Sequence, residues 1–447
     1  MDGNHGKYMV VLYTKPEDCG GQCLYCIKTT NITNATVPNE DTLMAQSTAW
    51  SSAMQFMHRC EDAGIKLHTG NKFELRIKGN SFTNYDAVYL EHFIKDVYDL
   101  LNGSASESFE EAFRMQEQAR DKCVQIVVET RADMITHEWC QRMLKWGVRT
   151  VEIGVQSLND SVLDANMRGH RTDAVREATK LIRHYGFELG YQVMIGLYKS
   201  MRQIDCDMLR RQLWESEYYP DSLKIYPCLL LHDETAQQPL YMLLHSGCWK
   251  PVQDAEYDDI LKEVLPDIPA DVHVNRLQRI LDPSDIAYGV RCKINRQKYR
   301  EICHSMWQRS VQNVPSGFLS RKSYSLIPYL HDDELCVQAV TKEDTILGYG
   351  RLSLREKKAV IRDLRVLGKP LNVGQKPTES PDELQHQGIG KAMLAFMEQY
   401  AFQHGKEKIL VNSSAGCVGY FKGNGYQNET DYLLIKHFDK TKGGYYD

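Results

Sequence analysis

Six short apolar stretches, each followed by a longer amphipathic one, constrain this chain more than any other feature. They fall at 7–14, 73–79, 123–129, 148–155, 187–197 and 222–228. Between them 41–64, 85–101, 137–146, 173–185 and 203–217 carry helical periodicity. Strands that alternate with helices pair in parallel through right-handed crossovers. The predicted closure is α/β, an open, partial TIM-like (β/α)6 barrel, with its chemistry at the carboxyl ends of the strands.

The first stretch delivers the chain into Cys19-Gly20-Gly21-Gln22-Cys23-Leu24-Tyr25-Cys26. Three thiolates at this spacing can hold three irons of a [4Fe–4S] cubane and leave the fourth open to a small molecule. The glycines let the backbone wrap closely round such a cluster. A zinc knuckle is the other reading, but it needs a fourth ligand, and the nearest, His58 and Cys60, lie in a helical stretch. The signature resembles that of the radical S-adenosylmethionine (SAM) enzymes, which implies Cys19, Cys23 and Cys26 as cluster ligands.

At 447 residues the chain exceeds one ordinary domain. With 42% hydrophobic and 25% charged residues it is globular, and it contains no apolar run of about eighteen residues. Thirteen cysteines without a secretory signal fit a reduced, cytoplasmic setting rather than a disulfide framework. A net charge of −5 argues against indiscriminate coating of nucleic acid.

Polar residues cluster at the strand ends: Gly79-Asn80 after the second, Glu129 and Arg131 after the third, Glu152 and Gln156 at the fourth, Lys224 and Tyr226 at the sixth. Arg168 and His170 sit in a loop before a helix, a pair suited to a carboxylate or phosphate. Taken singly, each could equally be a cap or an ion-pair partner. Together they converge on one mouth.

A second domain follows. Strand patterns at 335–340, 346–353 and 359–366 precede Gln385-His386-Gln387-Gly388-Ile389-Gly390-Lys391, which opens a helix running to about 404. Small residues at a helix start let backbone N–H groups approach a pyrophosphate. With 408–412 and Tyr420-Phe421 beyond it, the order resembles the GNAT acetyltransferases. That likeness implies acetyl-CoA at residues 385–391, with Phe421 beside it. Tyr420 is the phenol expected near the CoA sulfur, a packed tyrosine being the alternative.

Glu129-Thr130-Arg131, Glu152 to Ser157, Arg168-Gly169-His170 and Leu223 to Pro227 occur in the order found in the catalytic subunit of Elongator, and the chain resembles that family from about residue 8 onward. The resemblance implies a tRNA-modifying enzyme that uses SAM and acetyl-CoA to build a carboxymethyl group on the wobble uridine. It assigns Gly79, Asn80, Glu129, Arg131, Glu152, Gln156 and Arg168 to SAM and makes Lys224, Tyr226 and Tyr420 catalytic. Accessory subunits or a homodimer are conceivable partners, and no membrane is implied.

Members of the family usually carry a basic segment before the first strand, so this chain reads as a shortened member. Its cysteine spacing is the shorter general one. Asn80 stands for a second glycine and Ala132 for a proline. These departures bear on the RNA more than on the SAM chemistry. A small metabolite or peptide acceptor, or a non-catalytic homologue that only binds the cofactors, are the other readings.

The expected boundaries are 1–270 for the barrel, 271–325 for a basic connecting region and 326–447 for the acetyl-CoA domain. Residues 272–322 hold ten basic side chains against three acidic ones. Arg276, Arg279, Arg291, Lys293, Arg296 and Lys298 are the RNA-binding candidates, a solvated linker being the alternative. Cys292, Cys303 and His304 are a loose potential metal group.

Overall fold

A computed structural model describes residues 3–438 apart from 5–6, 16, 18–19, 27–50, 80, 233–238, 312–322, 370, 373–374 and 378–382. Cys19, Asn80 and the start of the helix expected at 41–64 therefore lie outside the described residues.

Seven parallel strands follow one another in sequence order. They are β1 (Lys7–Tyr13), β2 (Lys72–Lys78), β3 (Lys122–Thr130), β4 (Val148–Gln156), β5 (Glu188–Ile195), β6 (Ser222–Pro227) and β7 (His273–Arg276). The first six are the predicted ones. The seventh, four residues long, joins the sheet beside β6 from within the basic stretch.

Strand alternation explains how the barrel is built. Leu75 and Ile77, Ile126 and Val128, Val151 and Ile153, and Leu223 and Ile225 are buried in the hydrophobic core. The intervening positions carry Glu74, Arg76, Glu129, Glu152 and Lys224, which face the lumen and bond one another. Outer helices complete the layer. The helix α1 (Ala87–Asn102) is one of them: Asp86 accepts from the Val88 and Tyr89 amides at its start, and Gly103 at φ +79° ends it. Its buried stripe is Leu90, Phe93, Ile94, Val97, Tyr98 and Leu101.

The second domain is a sheet of β8 (Tyr324–His331), β9 (Glu334–Thr341), β10 (Ile346–Leu354), β11 (Lys358–Val366), β12 (Lys408–Asn412) and β13 (Leu433–His437), edged by the short strand Gln427–Asn428. The helix α2 (Ile389–Gln403) packs on one face, where Gly348 and Gly350 leave room for Met393 and Met397. A Cβ at either glycine would come within 2.9 Å of a methionine methyl. The strands β11 and β12 pair in parallel only from Lys358–Ile361 to Lys408–Val411. Beyond Ile361 the two diverge.

The other face of this sheet closes the amino-terminal end of the barrel. Arg351 and Arg362 bracket Asp221, which directly precedes β6. Arg149 Nη2 donates to the Arg362 carbonyl at 3.0 Å, and Asn412 Nδ2 to the Tyr185 carbonyl at 2.6 Å. A Cβ at Gly416 would meet the Cys123 carbonyl at 2.7 Å, so the backbones touch there. Among the described residues no helix is long and apolar enough to cross a membrane.

Candidate active site

The cysteine loop lies at the carboxyl-end mouth. The Cys26 amide donates to the Cys23 carbonyl at 3.1 Å, turning the chain, and the Leu24 amide donates to the Asn166 carbonyl at 3.1 Å. Leu24 and Tyr25 pack against a cluster of Met194, Leu197, Tyr226 and Trp249 from the strand ends and following loops. Cys23 is buried, with Arg168 Nη1 3.5 Å from its sulfur.

These features suit an iron–sulfur cluster. Neither Cys23 nor Cys26 is in a disulfide. The polar atoms Arg168 Nε, Asn166 Oδ1 and His170 Nε2, buried in the loop at residues 166–170, have no hydrogen-bond partner among the described residues. Of these, the Arg168 Nε–H is a donor without a partner beside a thiol, which a sulfur-rich anionic group would satisfy. Burial, with Arg168 beside it, pulls the His170 imidazole down to about 4, so it is neutral at ordinary pH.

The strand tips surround this loop. A Cβ on Gly79 would stand 2.0 Å from Thr14 Oγ1 and 2.7 Å from the Tyr85 hydroxyl, so the β2 tip has no space for a side chain. Gln156 adopts φ +68°, at a register shift between β4 and β5. A non-glycine residue held there is strained backbone at a strand end, a frequent mark of a ligand site. Arg131 grips Asp133 with Nε and Nη2 at 3.0 and 2.8 Å and lies against Gly169.

Within the lumen Lys224 is pinned between Glu129 Oε1, at 2.9 Å, and Glu152. Burial opposes its charge, yet these two carboxylates hold the ammonium above the ordinary lysine range. Glu129 is correspondingly held well below the carboxylate range against its own burial. The network continues from Glu152 to Arg76 at 3.1 Å, Arg76 to Glu74 at 2.8 Å and Glu74 to Lys7 at 2.8 Å. Lys7 meets Gln125, Gln125 meets Thr150 at 2.6 Å, Thr150 meets Glu188 at 2.6 Å, and Glu188 pairs with Arg365 of β11. A continuous polar path thus runs from the mouth to the second domain. Of its members only Glu129, Glu152 and Lys224 were foreseen. For Glu74 and Arg76 the signal was a charge at every second position of an apolar strand, from Lys72 to Lys78.

Tyr226 is buried, with the Arg279 guanidinium 5.8 Å from its ring centre. Arg276 pairs with Lys224 across the β6–β7 ladder. These two basic residues therefore stand at the mouth. Arg296 instead turns inward: Nη1 donates to the Asn275 carbonyl at 2.9 Å, and its guanidinium lies 3.4 Å from the centre of the Trp307 ring. Lys298 pairs with Asp258, and Arg291 donates to the Ala287 carbonyl. Lys293 is exposed.

In the second domain Gly388, at φ +86°, caps the start of α2, and a Cβ there would meet nothing within 4 Å. His386 has φ +61°. No acidic residue occupies the first turn, so no carboxylate there opposes an anion at the helix amides. A Cβ on Gly390 would lie 3.2 Å from the Tyr420 hydroxyl, which places that phenol over the helix start. Although the residue as a whole is 43% exposed, partial burial pushes its phenol up to about 12. Gln385 accepts from Lys72 Nζ at 2.8 Å, Gln387 donates to the Glu383 carbonyl at 2.7 Å, and Ile389 is buried while Lys391 is exposed. Phe421 packs into the core against Tyr426. These features suit a CoA pyrophosphate.

No group of three or more His, Cys, Asp or Glu side chains able to hold a metal forms among the described residues, so Cys292, Cys303 and His304 do not make one. Cys292 donates to Asp254, and Cys303 is buried beside Ser305.

Comparison with known proteins agrees with both halves. The radical SAM superfamily matches residues 96–205 and the acetyltransferase (GNAT) family residues 299–426, the first match starting beyond the cysteine loop. A tRNA uridine(34) acetyltransferase of Dehalococcoides mccartyi is 29% identical over 97% of this chain and 98% of its own length. Elongator complex protein 3 of Danio rerio is 26% identical over 96% of this chain and 84% of its own. The solved structure of the archaeal Methanocaldococcus infernus Elp3, with an N-terminal deletion, superimposes with a TM-score of 0.80 at 25% identity, covering 97% of this chain and all of that one.

Proposed function

We propose that this chain, a radical SAM and GNAT protein similar along nearly its whole length to the tRNA uridine(34) acetyltransferases and to Elongator complex protein 3, is an enzyme that modifies the wobble uridine of tRNA. The supporting observation is the barrel itself. One end carries the cysteine loop, the other is closed by the acetyltransferase sheet, and the Lys224 to Arg365 network links them.

When bound, a reduced [4Fe–4S] cluster with SAM would supply a 5′-deoxyadenosyl radical able to take hydrogen from the acetyl methyl. Cys19, Cys23 and Cys26 would hold the cluster. Gly79, Asn80, Glu129, Arg131, Glu152, Gln156 and Arg168 would frame SAM, with Gly79 and Gln156 shaping the space for it. The α2 amides bind the pyrophosphate, and Tyr420 protonates the departing thiolate. Lys224 holds Glu129 and Glu152 in place beneath the acceptor, with Tyr226 beside it.

Arg276 and Arg279 at the mouth receive the RNA backbone. A small-molecule acceptor is the second reading, favoured by the commitment of Arg291, Arg296 and Lys298 to protein partners. Anaerobic reconstitution with iron, sulfide and dithionite, followed by SAM, acetyl-CoA and bulk tRNA, tests the proposal. Mass spectrometry of the nucleosides should show a carboxymethyl-type uridine that depends on both cofactors. Unmodified uridine beside vigorous SAM cleavage would favour the small acceptor.

A further inference from the structure

Arg168 is 6% exposed, yet it forms no ion pair with a carboxylate among the described residues. Arg131 and Arg171 on either side take Asp133 and Asp164 as partners. Arg168 is held differently. Its Nη2 donates to the Gly154 carbonyl at 2.6 Å, its Nη1 reaches Cys23 Sγ at 3.5 Å, and its Nε has no hydrogen-bond partner. The close fit is structural, since a Cβ at Gly154 would fall 2.9 Å from Nη2. The amide of Leu24 bonded to Asn166 ties the cysteine loop to the loop that carries this arginine.

A buried guanidinium without a counter-charge is costly, because burial strengthens every uncompensated electrostatic term. A cluster held by three thiolates is anionic and gains a further negative charge on one-electron reduction. A fixed cation that donates to a ligand sulfur stabilises the reduced form more than the oxidised one. His170 is neutral, which leaves Arg168 as the permanent charge at this point.

We propose that Arg168 is a positioning residue of the cluster: its Nη1 donates to the Cys23 thiolate, and its unpaired charge raises the potential at which the cluster accepts an electron. The electron comes from a low-potential one-electron donor, dithionite in vitro. This inference rests on the radical SAM part of the proposed function and is independent of the acceptor.

The test is a redox titration of the anaerobically reconstituted full chain, followed by EPR, without SAM. Wild type is compared with Arg168→Gln and Arg168→Lys at matched iron and sulfide content. The Gln variant should lower the reduction equilibrium about tenfold, 59 mV for a one-electron couple, and the Lys variant less than threefold. A merely structural role would change cluster content or melting temperature in both variants and leave the midpoint alone. An unchanged midpoint in Arg168→Gln, with SAM binding weakened, would confine the arginine to SAM and overturn the proposal. If wild type takes up no cluster, the radical reading and this inference fall together. A midpoint shift without any tRNA product would uphold the inference and count against the acceptor alone.

Discussion

Arg362 of the acetyltransferase sheet holds Asp221 at the foot of the barrel's sixth strand in a two-point ion pair, Nη2 2.8 Å from Oδ1 and Nη1 2.5 Å from Oδ2. Both side chains are buried, and Arg351 approaches the same carboxylate at 3.2 Å. The Leu189 amide at the start of β5 donates to it as well, at 2.8 Å. One carboxylate therefore fixes the sheet against two neighbouring barrel strands.

Asp221→Asn should destabilise the protein by about 3–5 kcal/mol, since two buried arginines lose a shared counter-charge. Glu334, 2.8 Å from Arg362, keeps the loss toward the lower figure. Although burial opposes ionisation, Arg362 and Arg351 hold the Asp221 carboxyl well below its ordinary range. A depressed folded pKa stabilises above the unfolded value of about 3.9 and is lost as pH falls below it. Denaturant midpoints should therefore drop more steeply below pH 4 in wild type than in Asp221→Asn.

At the opposite mouth, Gly79→Ala should disturb the strand tip and weaken SAM binding, because the new methyl would stand 2.0 Å from Thr14 Oγ1. That oxygen ends a side chain whose bond to the Lys78 carbonyl, at 3.1 Å, can be given up. Pairing Gly79→Ala with Thr14→Ala should recover part of the melting temperature. The Tyr85 hydroxyl remains 2.7 Å away, so SAM affinity should recover less. Equal SAM affinity in Gly79→Ala and wild type would place the amino-acid end of SAM elsewhere.

The barrel and the sheet beyond it were largely legible because each strand begins or ends on a change from apolar alternation to polar or glycine residues. The helix start at Gly388 was legible for the same reason. What escaped was short or exposed. The four residues of β7 are embedded in a basic stretch, and β8 is a half-exposed edge strand interrupted by Pro328. The roles of the arginines could not be read from charge alone. Arg279 and Arg296 look alike in sequence, but one sits over Tyr226 at the mouth while the other stacks on Trp307 and caps strand carbonyls. Asp221, Glu188 and Arg365 were invisible because the ion pairs Asp221–Arg362 and Glu188–Arg365 span 141 and 177 residues.

Lys224→Met should abolish product formation and also unfold the protein more easily, by leaving Glu129 and Glu152 facing each other without their shared cation. Adding Glu152→Gln removes one of the two charges, so stability should return in part while product does not. Recovery of both would make Lys224 a counter-ion only. The double variant is measured by denaturant titration alongside nucleoside analysis.

Tyr420→Phe should leave acetyl-CoA affinity within a few-fold of wild type and slow thiol release by about a hundredfold to ten-thousandfold, the range for a lost general acid. With its phenol pushed up to about 12, Tyr420 remains protonated through neutral and mildly alkaline pH. The wild-type rate should therefore show no fall from this group between pH 7 and 10. A Phe variant of unchanged rate would reduce Tyr420 to packing over Gly390.

The basic residues of the connecting region should separate by burial. Arg279→Ala removes a cation above Tyr226 and should weaken tRNA binding and flatten its salt dependence, by roughly one unit of slope per lost phosphate contact. Its melting temperature should hold. Arg296→Ala should do the reverse: burial pulls this guanidinium down to about 9, and its removal strips hydrogen bonds from the Val274 and Asn275 carbonyls and a stacking partner from Trp307. Stability should fall while the salt slope stays that of wild type. Filter binding across a salt series, with thermal melts of the same samples, distinguishes the two. A slope change in Arg296→Ala with its fold intact would show that this arginine reaches RNA after all.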